Sequence, residues 1–305
     1  MPMRGRISTG LAILLLPVLL CWFASAAVSA GGQEGGGQEQ EADVARLERA
    51  ISLAREQRQH LEELVAAAPS ADDDSRAHAE GDKAEKRALL EKVLPPAAFT
   101  RRVEASGNDG EFLIVERFDP IRPPGRRWQT IERRPADEPE GKNPEHHGAD
   151  GTFAMYAWMV SALSADGARF LGRDAAGRPR WRLARVPSVL LGEKMRRFAG
   201  RLTAEAVVDG PDEGPYLAEL RLAIDKPFRA RGIAKVKQFE SRFTFAPLAG
   251  RGAIMVPKEV ETRIELSILL LGTERGHTRI LYDDYVPRET VFEGTGDPRA
   301  GDAEK

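Results

Sequence analysis

Five segments between positions 112 and 268 alternate apolar and polar residues, and that period of two dictates a sheet with one dry and one wet face. In 112–118, Phe112, Ile114 and Phe118 share a side. In 202–208, Leu202, Ala204, Ala206 and Val208 do the same. In 219–224, Leu220, Leu222 and Ile224 alternate with Glu219, Arg221 and Ala223. In 238–245, Phe239, Phe243 and Phe245 alternate with Gln238, Glu240, Arg242 and Thr244. In 260–268, Val260, Ile264, Leu266 and Ile268 alternate with Glu261, Arg263, Glu265 and Ser267. Such strands pair antiparallel and need a cover for the apolar side. Asp174-Ala175-Ala176-Gly177, between Phe170 and Trp181, reads as a hairpin turn.

The available covers are helical. Val44, Leu47, Ile51, Ala54, Arg58, Leu61 and Val65 are spaced by three and four, which predicts a helix over 41–68. Two readings of it stand: a short coiled coil serving a homodimer or an envelope partner, or an amphipathic helix packed on its own domain. A polar stretch separates it from the strands, and the sheet is expected to fold without it. A second helix is signalled by Asp82 and Glu85 and stopped by Pro95-Pro96. Residues 153–163, apolar nearly all round, predict a buried helix. The sum is an α+β fold: a curved, mainly antiparallel, half-barrel-like sheet covered by a few helices, with an N-terminal helical segment.

The chain divides accordingly. Residues 1–30 have the three parts of a secretory signal peptide: basic Arg4 and Arg6, an apolar run from Leu11 to Phe23, and an Ala-rich exit. Cleavage near Ala26 or Ala30 and a periplasmic location are expected. Cys21 follows Leu20, too large for a lipoprotein signal, so anchoring there is not expected. Residues 31–95 form a Gly/Gln/Glu-rich spacer and two helices, 96–286 the β domain, and 287–305 a charged, disordered tail.

Cys21 is the one cysteine, so no disulfide supports the mature fold and an apolar core must. Lys and Arg number 45 against 47 Asp and Glu, a formal net charge of −2, which argues against a nucleic-acid partner. No catalytic motif, Walker loop or dinucleotide fingerprint is present. His146-His147 and Asp283-Asp284 are too few for a metal centre or an acid–base pair on their own. No catalytic residue, metal or cofactor is assigned.

Residues 117–128 read Arg-Phe-Asp-Pro-Ile-Arg-Pro-Pro-Gly-Arg-Arg-Trp, and 225–247 begin Asp-Lys-Pro-Phe. Together they resemble a group of uncharacterised proteobacterial periplasmic proteins whose architecture is similar to the Lol-like carriers that ferry lipoproteins to the outer membrane. The likeness covers about residues 97–286. Arg133-Arg134-Pro135 departs from it, where a Gly-containing turn is usual. The resemblance implies a concave apolar face that takes a lipid or a lipoprotein acyl chain. Phe239, Phe243, Phe245, Ile264 and Leu266 are the candidates to line it. The turn itself reads as a rigid structural corner: Pro120 and Pro123 restrict the backbone, Gly125 permits a positive φ, Asp119 can accept hydrogen bonds and Trp128 can seal the corner. The lesser alternative there is a ligand-facing role for Arg122, Arg126 and Arg127.

Overall fold

A computed structural model describes residues 37–67, 97–108, 110–120, 122, 126–135, 149–191, 196–230, 234–249, 251–269 and 272–287. The signal-like leader, the expected second helix, His146-His147 and the tail lie outside these described residues.

The elements, in chain order, begin with helix α1 (Gly37–Ala67) and strands β1 (Ala97–Gly107), β2 (Gly110–Phe118) and β3 (Trp128–Arg134). Helix α2 (Ala149–Ser161) follows, then β4 (Arg169–Arg173), β5 (Pro179–Leu183), β6 (Leu202–Asp209), β7 (Tyr216–Ile224) and β8 (Phe228–Ala230). The long strands β9 (Ala234–Leu248), β10 (Arg251–Ile268) and β11 (Gly272–Pro287) complete the described elements. All pair antiparallel in one 11-stranded open sheet, in the order β3-β2-β1-β11-β10-β9-β7-β6-β5-β4, with β8 also pairing β9. The edges are β3 and β4. The β4–β5 hairpin turns where the sequence predicts it: Asp174 Oδ1 accepts from the amides of Ala176 and Arg178, and Gly177 takes a φ of +79°. Pro257 cannot donate to the ladder, and the β9–β10 register shifts beside it, between Pro257 and Glu259.

The helices do cover the sheet. On α1, Leu47, Ala50, Ile51 and Ala54 form one face and are buried in the core with Tyr156 and Val160 of α2 and Leu217 and Leu220 of β7. The alanines let the helix approach closely, and polar contacts then fix its position. Asp43, itself buried, pairs with Arg173 at 2.8 Å, and Arg46 donates to the Gly210 carbonyl at 2.5 Å. Arg55 donates to the carbonyls of Ser161, the last residue of α2, and of Leu163 just beyond it. The seam spacing was therefore legible, but its partner is this chain's own sheet. The expectation that the sheet can dispense with 41–68 does not fit this packing. Among the described residues no helix is long and apolar enough to cross a membrane.

Candidate functional site

The inner face is built in rows, because antiparallel register puts directly paired residues on the same side of the sheet. One row crosses ten strands: Phe170, Trp181, Ala206, Leu220, Phe243, Val260, Ile280, Val103, Ile114 and Arg133. Nine of these ten are apolar, which makes the row a continuous dry track ending in a cation at the β3 edge. The next row runs Leu183, Ala204, Leu222, Ser241, Thr262, Thr278, Ala105 and Phe112. It is apolar at both ends and carries three hydroxyls in the middle. A third row holds Phe239, Ile264, Gly276 and Gly107.

The five residues expected to line a ligand site fall into two groups. Phe239 and Phe245 are almost fully buried in the filled part of the core, and Phe245 meets Tyr156 of α2 edge-on at 5.2 Å. Phe243, Ile264 and Leu266 are half-buried and border that core. Phe239 and Ile264 pair directly, and Leu266 pairs with Val236 rather than with a phenylalanine. The register shift between Glu265 and Leu266 brings in Val236 where continued register would set Lys237. Phe243 and Met155 also touch a second cluster, so the inner face is one surface with two packed centres.

That second cluster is aromatic. Phe99 packs on Phe118, Trp128, Phe153, Tyr282 and Tyr285. Trp128 thus fixes one end of the predicted corner. The Asp119 amide donates to the Arg127 carbonyl at 2.8 Å and the Arg122 amide to the Asp119 carbonyl at 3.3 Å. Arg122 and Arg126 are exposed and Arg127 is half-buried with its Nε on the Arg122 carbonyl. Pro123 and Gly125 lie outside the described residues. Inside the cluster sits a buried ion pair that the sequence reading missed, Arg101 with Glu116, and the Arg101 guanidinium also stacks on Trp128 at 4.4 Å. Its signal was an Arg and a Glu at inward positions of two paired strands. Burial also raises the phenols: Tyr156 is pushed up to about 12, although the Leu217 amide donates to its oxygen, and Tyr285 is raised by the same cause. These tyrosines are neutral donors or acceptors at physiological pH. They offer no base.

The outer face is a charge ladder. Arg182, Glu205, Arg221, Arg242, Glu261, Arg279 and Glu104 stand in one register row across seven strands. Glu205 accepts from Arg182 at 2.9 Å and Arg180 at 3.3 Å, and Arg221 reaches Glu240 at 2.7 Å. Burial alone would raise Glu205; the Arg182 hydrogen bond and the charges of Arg182, Arg221 and Arg180 outweigh it and hold the carboxyl below its ordinary range. Glu261 is likewise lowered, burial opposing and Arg263 and His277 prevailing. Glu265 is lowered first by its hydrogen bonds from Arg275 and Lys237. A carboxyl depressed in the folded state stabilises fully above its unfolded value, and this contribution is lost as pH falls through the folded value. The ordinary value is 4.5 for these glutamates. Melting temperature should therefore be flat near neutrality and fall below about pH 4.5. In Glu205→Gln the fall should be shallower, read by thermal melts between neutral and acidic buffers. An acid profile identical to wild type would show that Glu205 is not part of the linkage.

Asp283 and Asp284 are exposed at the end of β11, and Asp284 accepts from Thr100 at 3.1 Å rather than facing Asp283 in a shared site. Among the described residues no group of three or more His, Cys, Asp or Glu side chains is placed to hold a metal. Comparison with family models, curated proteins and solved structures gave no match.

Proposed function

We propose that this chain is a periplasmic, non-enzymatic protein that holds an acyl chain or another apolar ligand against the inner face of its sheet. On this reading the sheet curves as a half-barrel, its concave side is the site, and α1 and α2 close one part of it. One observation carries the proposal: the apolar surface continues beyond the part filled by the helices, through half-buried Phe243, Ile264, Leu266 and Ile280. A face built only to pack would end where its cover ends. An adaptor role for residues 41–68 has less support, because Leu47, Ile51 and Ala54 of the seam are spent on the chain's own core.

Native mass spectrometry of protein purified from the envelope fraction should show a co-purified lipid, and the delipidated protein should bind diphenylhexatriene with enhanced fluorescence. Substitutions separate the two parts of the face. Phe239→Ala should cost about 3–5 kcal/mol of stability, as in a filled core. Phe243→Ala and Leu266→Ala should cost clearly less and weaken probe binding. A wild type that carries no lipid and binds no probe, with Phe243→Ala as damaging as Phe239→Ala, rejects the proposal.

A further inference from the structure

We infer that the hydroxyl row Ser241–Thr262–Thr278 is a polar subsite for a neutral carbonyl, the ester or amide group of an acylated ligand; this rests on the binding role proposed above. The three residues are directly paired on adjacent strands β9, β10 and β11 and are buried, with Thr278 only 8% exposed. Thr278 Oγ1 is buried and has no hydrogen-bond partner. An orphaned hydroxyl in a dry setting is destabilising, and an isosteric valine would avoid it. A donor kept in that position is explained by an acceptor that arrives with a ligand.

The surroundings say which acceptor. Thr278 stands between Thr262 and Ala105 in its own row, with Ile280 in the dry track on one side. On the other side come Gly276 and its partner Gly107, which place no side chain on the face. The cleft at this end of the strands, lined by Ser106, Gln238, Arg263, Glu265, Arg275 and His277, belongs to the opposite, charged face. A chain laid along the inner face from this end would pass the glycine pair, then the hydroxyl step, and then the apolar track. No cation stands in the hydroxyl row or beside it on β9, β10 or β11; Arg133 ends the neighbouring row at the β3 edge. Neutral hydroxyls do not offset the burial of a carboxylate. The geometry therefore selects an ester or amide carbonyl over a free acid.

The test uses the full-length protein and three probes: dansyl-labelled undecanoic acid, its methyl ester, and diphenylhexatriene, which has no polar group. Wild type should bind the ester more tightly than the acid. Thr278→Val keeps the shape and removes the hydroxyl, so it should weaken the ester roughly five- to tenfold, leave diphenylhexatriene unchanged and melt no lower than wild type. Thr262→Val serves as a second variant in case the first is poorly folded, with the same selective loss expected. If both variants bind ester and diphenylhexatriene as wild type does, the subsite is rejected while the apolar site stands. Equal wild-type affinity for acid and ester overturns the choice of a neutral carbonyl. If wild type binds no probe and Thr278→Val only raises the melting temperature, the row serves a covering segment of the chain itself, and both this inference and the binding role fall.

Discussion

Deletion of residues 37–67 is expected to abolish the cooperative thermal transition of the protein. Leu47, Ile51 and Leu61 are buried on α1, together with Ala50 and Ala54. Burial of three such large side chains contributes about 1.5–3 kcal/mol each, close to the roughly 5–15 kcal/mol that holds a typical domain folded. The loss is double-sided, since Leu217, Leu220 and Leu222 of the sheet belong to the same core and would face water. The buried Asp43 carboxylate and its Arg173 partner would be lost as well. A smaller change should act in the same direction: Ile51→Asp places a charge at the centre of this interface, which hydrophobic burial cannot accommodate. Circular dichroism and differential scanning calorimetry read the outcome. A truncated protein that melts sharply near the wild-type temperature would show that α1 rests on the sheet without supporting it.

This packing also shows where sequence and structure part. The helical spacing over 41–68 was visible, because periodicity reports which face is apolar. It does not report what that face meets, and a three-four seam suits a partner helix and a sheet equally well. The alternating strands β2, β6, β7, β9 and β10 were legible for the same reason: their inward positions are apolar and their outward positions charged. Strands β1, β3 and β11 were not assigned residue by residue, because their inward positions break the code. Arg101 points inward on β1, Arg133 shares the inner row on β3, and β11 offers Glu274, Gly276 and Thr278 to the inner rows. A register shift between Val115 and Glu116 also disturbs β3, where Ile131 is exposed. Of the candidate site, the phenylalanines were readable one strand at a time. The row that joins Phe243 to Ile280, and the hydroxyl row beside it, depend on register across strands far apart in sequence. Register is set by tertiary pairing and bulges, which no local pattern encodes.

Glu116→Ala is expected to cost about 3–5 kcal/mol, one of the largest single-residue effects in the molecule. Arg101 and Glu116 are paired residues of β1 and β2, 7% and 2% exposed, so neither charge has water to fall back on. Arg101 Nε and Nη2 both donate to Glu116 Oε2, and the guanidinium plane lies on Trp128. Removing the carboxylate leaves a buried guanidinium whose remaining contacts, the Trp128 ring among them, carry no negative charge. Arg101→Ala is costly for the converse reason and also removes the stacking that ties β1 to β3. Removing both charges has a different sign of consequence. Arg101→Met with Glu116→Leu keeps the volume, eliminates two desolvated ions and leaves a cluster already made of Phe99, Phe118, Trp128 and Tyr282. Exchanging a buried ion pair for packed apolar groups is commonly neutral or stabilising. The double variant should therefore melt within a few degrees of wild type or above it, well above either single variant. Urea denaturation of the wild type, Arg101→Met, Glu116→Leu and the double variant gives the coupling energy directly, and it should be large and favourable to the pair. Single losses that simply add in the double variant would show that the two charges stand next to one another without depending on one another.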